Sequence, residues 1–506
     1  MSRALTTTLL SFTTLALATA LSGCNPRKAG TDTASASTAS SSEGASANTG
    51  AIPVTAASEE ARTLYLEGRA LGEQLKAHEG RAKFEAAVAK DPSFAMAHYQ
   101  LAANAATAKD FFAHVKEAVA LSDKVSEGER LTILALEAGG NAQPAKALEY
   151  QQELVAKYPN DERARFLLAV GYFGQQEFEK SIAELKKANE INPNYSPAYN
   201  QLGYAYRQVE KYDDAEAAFK KYIELIPNDP NPYDSYAELL MKTGRFDESI
   251  AQYQKALSVD DHFTPSRVGI ANNLMLQGKP DQAAAKMDDL YARARDDADR
   301  RTAMFVKGII LTDAGRTDAA VKEIEREYAY DVKLADSANM SGDAQLIGNI
   351  LLNAGRTNDA ARRFSQALAL VEQSSLSDQV KQDTRLAAHY NNGRVALAQG
   401  DVATAKTEAK AYLDGATERQ NKFRTRQAHE LAGRIALAEK QYDDAIAHLG
   451  QANQQDPAVV YLTALAYQGK GDGPKAKELA AKAADANVLP LATYAFVRAK
   501  AKKLAA

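Results

Sequence analysis

Three stretches decide the fold. They are Arg165-Phe-Leu-Leu-Ala169-Val-Gly-Tyr172, Tyr199-Asn-Gln-Leu-Gly203-Tyr-Ala-Tyr206 and Tyr233-Asp-Ser-Tyr-Ala237-Glu-Leu-Leu240. Their starts are 34 residues apart. A second pattern recurs at the same step: Ser181…Leu185…Ala188…Pro193, then Ala215…Phe219…Tyr222…Pro227, then Ser249…Tyr253…Ala256…Asp261. Small residues at Ala169, Gly203 and Ala237 let one helix lie close to its partner, and Ser181, Ala215 and Ser249 do the same from the other side. Large residues such as Leu168, Tyr206, Leu240 and Phe219 fill the space between units. Pro193 and Pro227 cannot continue a helix and end the second one. Gly244 stands where a left-handed residue closes the first helix. Tyr212-Asp-Asp-Ala and Phe246-Asp-Glu-Ser reopen a helix with acids in its first turn, as the macrodipole favours.

A fixed period of 34 with paired helical halves resembles the tetratricopeptide repeat (TPR), a helix–turn–helix unit. The resemblance implies an all-α fold, an α-solenoid in which TPR and TPR-like hairpins stack into a right-handed superhelix. Outward from the core stretch, units start near Leu64, Leu101 and Leu134, and a seventh runs through Ala271, Gly278, Ala283 and Met287. Beyond Leu290 the step widens: Gly308, Gly348, Gly393 and Gly433 lie 40, 45 and 40 residues apart, which implies longer helices or insertions such as Val371 to Asp383. About a dozen units are expected. The regular array is placed at 59–294, and an irregular one at 295–506. Ala492 to Leu504 reads as a Lys-rich terminal helix that caps the stack, as solenoid ends require. Period-2 alternation is absent, so no strand is expected.

The start of the chain is of another kind. Met1-Ser-Arg3 is basic, Leu9 to Leu21 is an apolar run too short for a stable span, and Leu21-Ser-Gly-Cys24 resembles the bacterial lipobox. Residues 1–23 are therefore expected to be a lipoprotein signal peptide, with lipid on Cys24, the only Cys of the chain. Asn25 after it resembles outer-membrane sorting, which implies a lipoprotein of the outer membrane facing the periplasm. Residues 24–58, rich in Ser, Thr, Ala and Gly, are expected to form a flexible tether.

Composition limits the function. A hydrophobic share of 45% and a charged share of 25% are those of a soluble globular protein, and a net charge of −4 gives no reason to expect nucleic acid. One Cys excludes disulfides within the chain and Cys metal sites. His78, His98, His114, His262, His389, His429 and His448 are scattered, with no helical i, i+4 pair for a metal. Gly469-Lys-Gly-Asp-Gly473 lacks the ending of a phosphate loop and reads as a repeat turn. Asp288-Asp289 and Asp296-Asp297-Ala-Asp299 read as a solvated acidic face. No nucleophile–base–orienter set is visible, so no enzyme, cofactor or metal is expected. Function then rests on surface. The TPR resemblance places groove positions on the first helices: Phe166, Val170 and Phe173; Asn200, Tyr204 and Arg207; Asp234, Glu238 and Lys242; and Asn272. Aromatic, amide and charged groups together suit an extended peptide. The basic clamp that binds acidic chaperone tails has no counterpart here. The reading is an interaction scaffold with a protein or peptide partner. The alternatives are an accessory of an envelope assembly or secretion complex, and a cytosolic sensor-type region suggested by Lys124-Val-Ser-Glu-Gly-Glu-Arg-Leu131.

Overall fold

A computed structural model describes residues 50–74, 76–105 and 108–506. The described residues form 25 α-helices and no strand. Twelve hairpins follow one another: α1 (Glu59–Glu73) and α2 (Ala77–Lys90); α3 (Ala95–Ala103) and α4 (Ala108–Ala120); α5 (Glu127–Gly140) and α6 (Pro144–Lys157); α7 (Glu162–Gly174) and α8 (Phe178–Ile191); α9 (Ser196–Gln208) and α10 (Tyr212–Leu225); α11 (Asn231–Lys242) and α12 (Phe246–Val259); α13 (Thr264–Leu276) and α14 (Pro280–Ala292); α15 (Asp297–Asp313) and α16 (Thr317–Lys333); α17 (Ser337–Asn353) and α18 (Thr357–Glu372); α19 (Asp378–Ala398) and α20 (Val402–Glu418); α21 (Lys422–Ala438) and α22 (Tyr442–Gln451); α23 (Pro457–Lys470) and α24 (Gly473–Ala484). A last helix, α25 (Ala492–Ala505), follows. The fold is an all-α solenoid.

Close packing explains the small residues. A Cβ on Gly203 would sit 2.6 Å from the Phe219 ring, and one on Gly269 would sit 2.1 Å from the Tyr253 ring. Gly203 is a socket for the ring of the second helix of its own hairpin and Gly269 for that of the hairpin before it, and both rings are fully buried. The wide steps after residue 290 come from longer helices: α15 to α17 have 17 residues each and α19 has 21, against 12 to 14 in α7 to α14. Stacking continues from α14 to α15, so the change of helix length does not break the array.

Two terminal stretches depart from expectation. Residues 1–49, and with them the signal peptide, Cys24 and most of the expected tether, lie outside the described residues. The end of that tether stretch is docked rather than loose. Backbone N–H groups of Ile52, Thr55 and Ala57 donate to the carboxylates of Asp161, Glu129 and Asp91, at 2.9, 2.8 and 2.8 Å. Asp161 and Glu129 stand where α7 and α5 begin and Asp91 where α2 ends, so the strap runs back across the first units. Ile52 fits against Gly128, where a Cβ would come within 2.9 Å of its Cγ2. Glu129 also closes a capping box with Ser126. The phrase around Ser126 is thus an N-cap that doubles as a strap anchor. Glu129→Ala removes an acceptor of charge-assisted bonds to Thr55 and Ser126, each worth about 1.5–3 kcal/mol. Limited proteolysis should then cut within 50–57 several-fold faster than in the unaltered chain; an unchanged rate contradicts the anchoring.

The second departure is at the other end. α25 packs on α23 and α24, as a cap does, but its opposite side is not solvent. It also packs on the first helices α15 and α17. Tyr494, Ala495, Val497, Arg498 and Ala501 are buried. The last units fold back along the turns that end the first helices of the earlier ones. Ser377 donates to Asn141, Arg426 to the carbonyl of Gln175, Gln176 to Asn453, and Gln455 to the carbonyl of Gln208. Lys422 pairs with Glu177, and Lys482 with Glu210. The reason is chemical: those turns present carbonyls and carboxylates, and the returning surface carries Lys, Arg and amide donors to meet them.

Candidate functional site

The expected groove positions sit together on the inner wall, yet most of them are not free surface. Phe166 and Phe173 are half-buried and packed edge-on against Tyr195 and Phe178 at 5.7 and 5.2 Å. Val170 is likewise half-buried. Asn200, Tyr204, Asp234, Glu238 and Asn272 are buried outright, Tyr204 and Asp234 to 1% exposure. This corrects the expectation of an open groove. Each wall residue reaches the next unit: Asn200 donates weakly to Asn231 (3.5 Å), the Tyr204 hydroxyl to Ser235 (3.2 Å), Arg207 to Glu238 (3.1 Å), and Ser266 to Asp234 (2.7 Å). The polar residues of α9, α11 and α13 form a seam between units.

Burial sets the electrostatics of that seam. Asp234 is pushed well above the usual carboxylate range, first by loss of water and then by Glu238 beside it. Glu238 is raised by burial too, although Arg207 pulls against the shift. Arg207 lies over the Tyr204 ring at 4.7 Å, so one guanidinium serves both the carboxylate and the aromatic face. Tyr204 in turn stands edge-on to Phe219 at 5.3 Å.

Lys242 and Asn272 reveal what covers the wall. The Lys242 ammonium donates to the carbonyl of Ala486 at 2.7 Å. The Asn272 amide donates to the carbonyl of Val488 at 3.0 Å. Ala486, Val488 and Leu489 pack on Met241, Met275 and Leu276. Five residues after Leu489, the Tyr494 ring enters the same cluster, its hydroxyl donating to the Ala484 carbonyl at 2.6 Å. Arg498 then bonds Asp313 (2.7 Å) and the carbonyls of Leu276 and Met275 (3.2 and 3.1 Å), the C-terminal end of α13. The segment from Ala486 to Arg498 is held as a ligand would be. Sequence reasoning found the wall and missed these occupants. Pro490 was the one local sign of a break before the last helix, and nothing local links that segment to Lys242.

Lys242 carries a pH dependence. Burial, then Arg207, lowers its pKa to about 8. In the unfolded chain it titrates near the ordinary value of about 10.4. Between these values the unfolded state binds more protons, so stability rises with pH from about 8 to 10.4 and is lost as pH falls through 8. Lys242→Met is expected to flatten the dependence of melting temperature on pH across this window; an identical slope in both proteins contradicts the assignment.

The histidines are less scattered than the sequence implies. His98 and His114 meet at 3.2 Å between ring nitrogens, and His429 and His448 at 3.3 Å. Each pair spans one hairpin, a separation that helix spacing alone does not reveal. Burial, then the partner ring, lowers the pKa of His114 and of His429. Gly469-Lys-Gly-Asp-Gly473 spans the junction of α23 and α24, with Gly471 left-handed at φ 90° as the turn between them. No helix of the described residues is long and apolar enough to cross a membrane.

Family models decide what the hairpins between residues 134 and 338 are. Models described as tetratricopeptide repeat match residues 134–196, 196–229, 231–263 and 268–338. The chain carries TPR repeats. No curated protein matches it. Solved structures similar to it include a thermophilic TPR protein of Thermus thermophilus, with 25% identity over 42% of this chain and 99% of that one, at a TM-score of 0.28. A tetratricopeptide repeat protein of Parabacteroides merdae has 16% identity over 56% and 99%, at 0.35. YrrB, a TPR protein with an unusual peptide-binding site, has 17% over 36% and 93%, at 0.25. The matched TPR units include Asn200, Tyr204, Arg207, Asp234, Glu238 and Asn272 of the polar seam.

Proposed function

We propose that this TPR chain is a non-enzymatic scaffold that holds a protein or peptide partner against the inner wall of its first helices. One observation carries the reading. Lys242 and Asn272 donate to two carbonyls two residues apart on an irregular, non-helical segment, so the wall is chemically suited to peptide backbone. Repeat solenoids act through such continuous curved surfaces rather than through one reactive centre. We place the scaffold at the outer membrane, facing the periplasm, through lipid on Cys24. The lipobox-like Leu21-Ser-Gly-Cys24 and the Asn25 that follows support this. The strap at 50–57 would then fix the array relative to its anchor.

The tests separate the two halves of the reading. Labelled palmitate should enter the unaltered chain and not Cys24→Ala, which should leave the membrane fraction; an unlabelled, soluble wild type contradicts the anchor. Crosslinking in the native envelope followed by mass spectrometry should recover a stoichiometric partner linked to first-helix residues. Arg207→Glu, which places an acid against buried Glu238, should reduce that recovery at least several-fold. Equal recovery contradicts the wall as the binding surface.

A further inference from the structure

The inner wall already has an occupant, and its contacts describe the partner. Ala486, Val488 and Leu489 contribute small and medium apolar side chains and two accepting carbonyls. Tyr494 contributes one ring that enters the Met241–Met275 cluster. Arg498 contributes one cation, which meets Asp313 and the carbonyl end of α13. Lys500 donates to Asn353 at the end of α17, 2.9 Å away. These contacts follow one another across α11, α13, α15 and α17, so an irregular lead followed by a basic helix fits the wall from unit to unit.

We infer that residues 485–506 are a built-in competitor for the inner wall, and that the partner presents the same chemistry: an irregular, mostly apolar stretch of about five residues with accepting carbonyls, leading into a helix with one aromatic and two basic residues. The inference rests on the scaffold reading above and deepens it. The segment leaves the wall when the partner enters, because both need the donors of Lys242 and Asn272 and the Asp313 carboxylate. Occupation in cis lowers the apparent affinity of any ligand in trans by the fraction of molecules that are open. The irregular residues between α24 and α25, which include Pro490, lie at one end of the helix and let it swing out without unfolding a unit.

The test uses the full chain in detergent and a fluorescein-labelled peptide of residues 485–506, read by anisotropy. Wild type should bind it weakly. Arg498→Glu in the chain, which frees the segment and leaves the wall intact, should bind it at least about tenfold more tightly. Adding Asp313→Arg to that chain restores the pair in cis with its charges exchanged, so the segment should close again and binding of the wild-type peptide should be lost. Where Arg498→Glu does not fold, Tyr494→Phe serves instead: it removes the hydroxyl bonds to Ala484 and Asn487 but keeps the ring, and should tighten binding by a smaller factor. Equal binding by wild type and a freed variant, or binding by neither, overturns the inference. Because the probe is the chain's own peptide, this result is independent of any native partner. A partner recovered by crosslinking alongside a failed peptide test sinks the competitor and leaves the scaffold. A bound peptide with no partner recovered does the reverse.

Discussion

Asp313→Ala should release the terminal helix from the rest of the array. Arg498 is 9% exposed and has one carboxylate partner, Asp313, whose side chain is 4% exposed. Removing one member of a buried pair leaves the other charge dry and unpaired, at a cost of about 3–5 kcal/mol. The two carbonyl bonds from Arg498 to Met275 and Leu276 offset only part of that loss. The cost falls on one contact surface, since repeat arrays behave as chains of neighbour interactions. Hydrogen exchange is therefore the proper reading. Amides of α25 and of residues 486–491 should exchange at least about a hundredfold faster, while those of α9 to α12 stay protected. A uniform loss of protection would mean that the helix is part of one cooperative block and not a separable segment.

Phe219→Ala should have a comparable effect in a different place. Phe219 is fully buried, sits in the socket left by Gly203 and supports the Tyr204 ring edge-on. Truncation of a buried Phe costs about 3–5 kcal/mol, transfer and cavity together. Here it also removes the floor under Tyr204 and so loosens the Arg207–Glu238 pair. The hairpins α9–α10 and α11–α12 should lose protection first, and partner recovery should fall with them. The reciprocal change tests the socket. Gly203→Ala puts a Cβ within 2.6 Å of the ring and should cost about 1–3 kcal/mol by overpacking. In a Phe219→Leu background the same Gly203→Ala should cost much less. Additive costs would show that the two residues do not share a space.

Local patterns made the repeat legible. Gly203 and Phe219 are 16 residues apart, a distance set by one hairpin, and the 34-residue step repeats that relation down the chain. The wall could be read for the same reason: Asn200, Tyr204 and Arg207 lie one helical turn apart on one face of α9. What covers the wall could not. Lys242 and Ala486 are 244 residues apart, and Arg498 and Asp313 are 185 apart. No period relates them, because they meet only after many small inter-unit rotations have brought the end of the chain back to its middle. Burial of Tyr204, Asp234 and Glu238 was hidden similarly. A polar residue on a first helix reads as groove lining, and only the position of the next unit shows that Ser235 and Ser266 already bond to Tyr204 and Asp234. The docked strap at 50–57 was masked by its composition, since the residues that make a tether pliable also let it lie flat across Gly128.

Zero-length carbodiimide coupling of the purified full chain, followed by peptide mass spectrometry, tests the return of the array upon itself most directly. Lys482 and Glu210 lie 3.0 Å apart, both exposed to the reagent and 272 residues apart in sequence. Lys422 and Glu177 form a second pair distant in sequence, with the glutamate half-buried. The closed arrangement predicts amide links between Lys482 and Glu210 and between Lys422 and Glu177 in monomeric protein. Links confined to the same or adjacent hairpins, such as Lys83 to Glu67, would mean that the solenoid is open and that its inner wall is free.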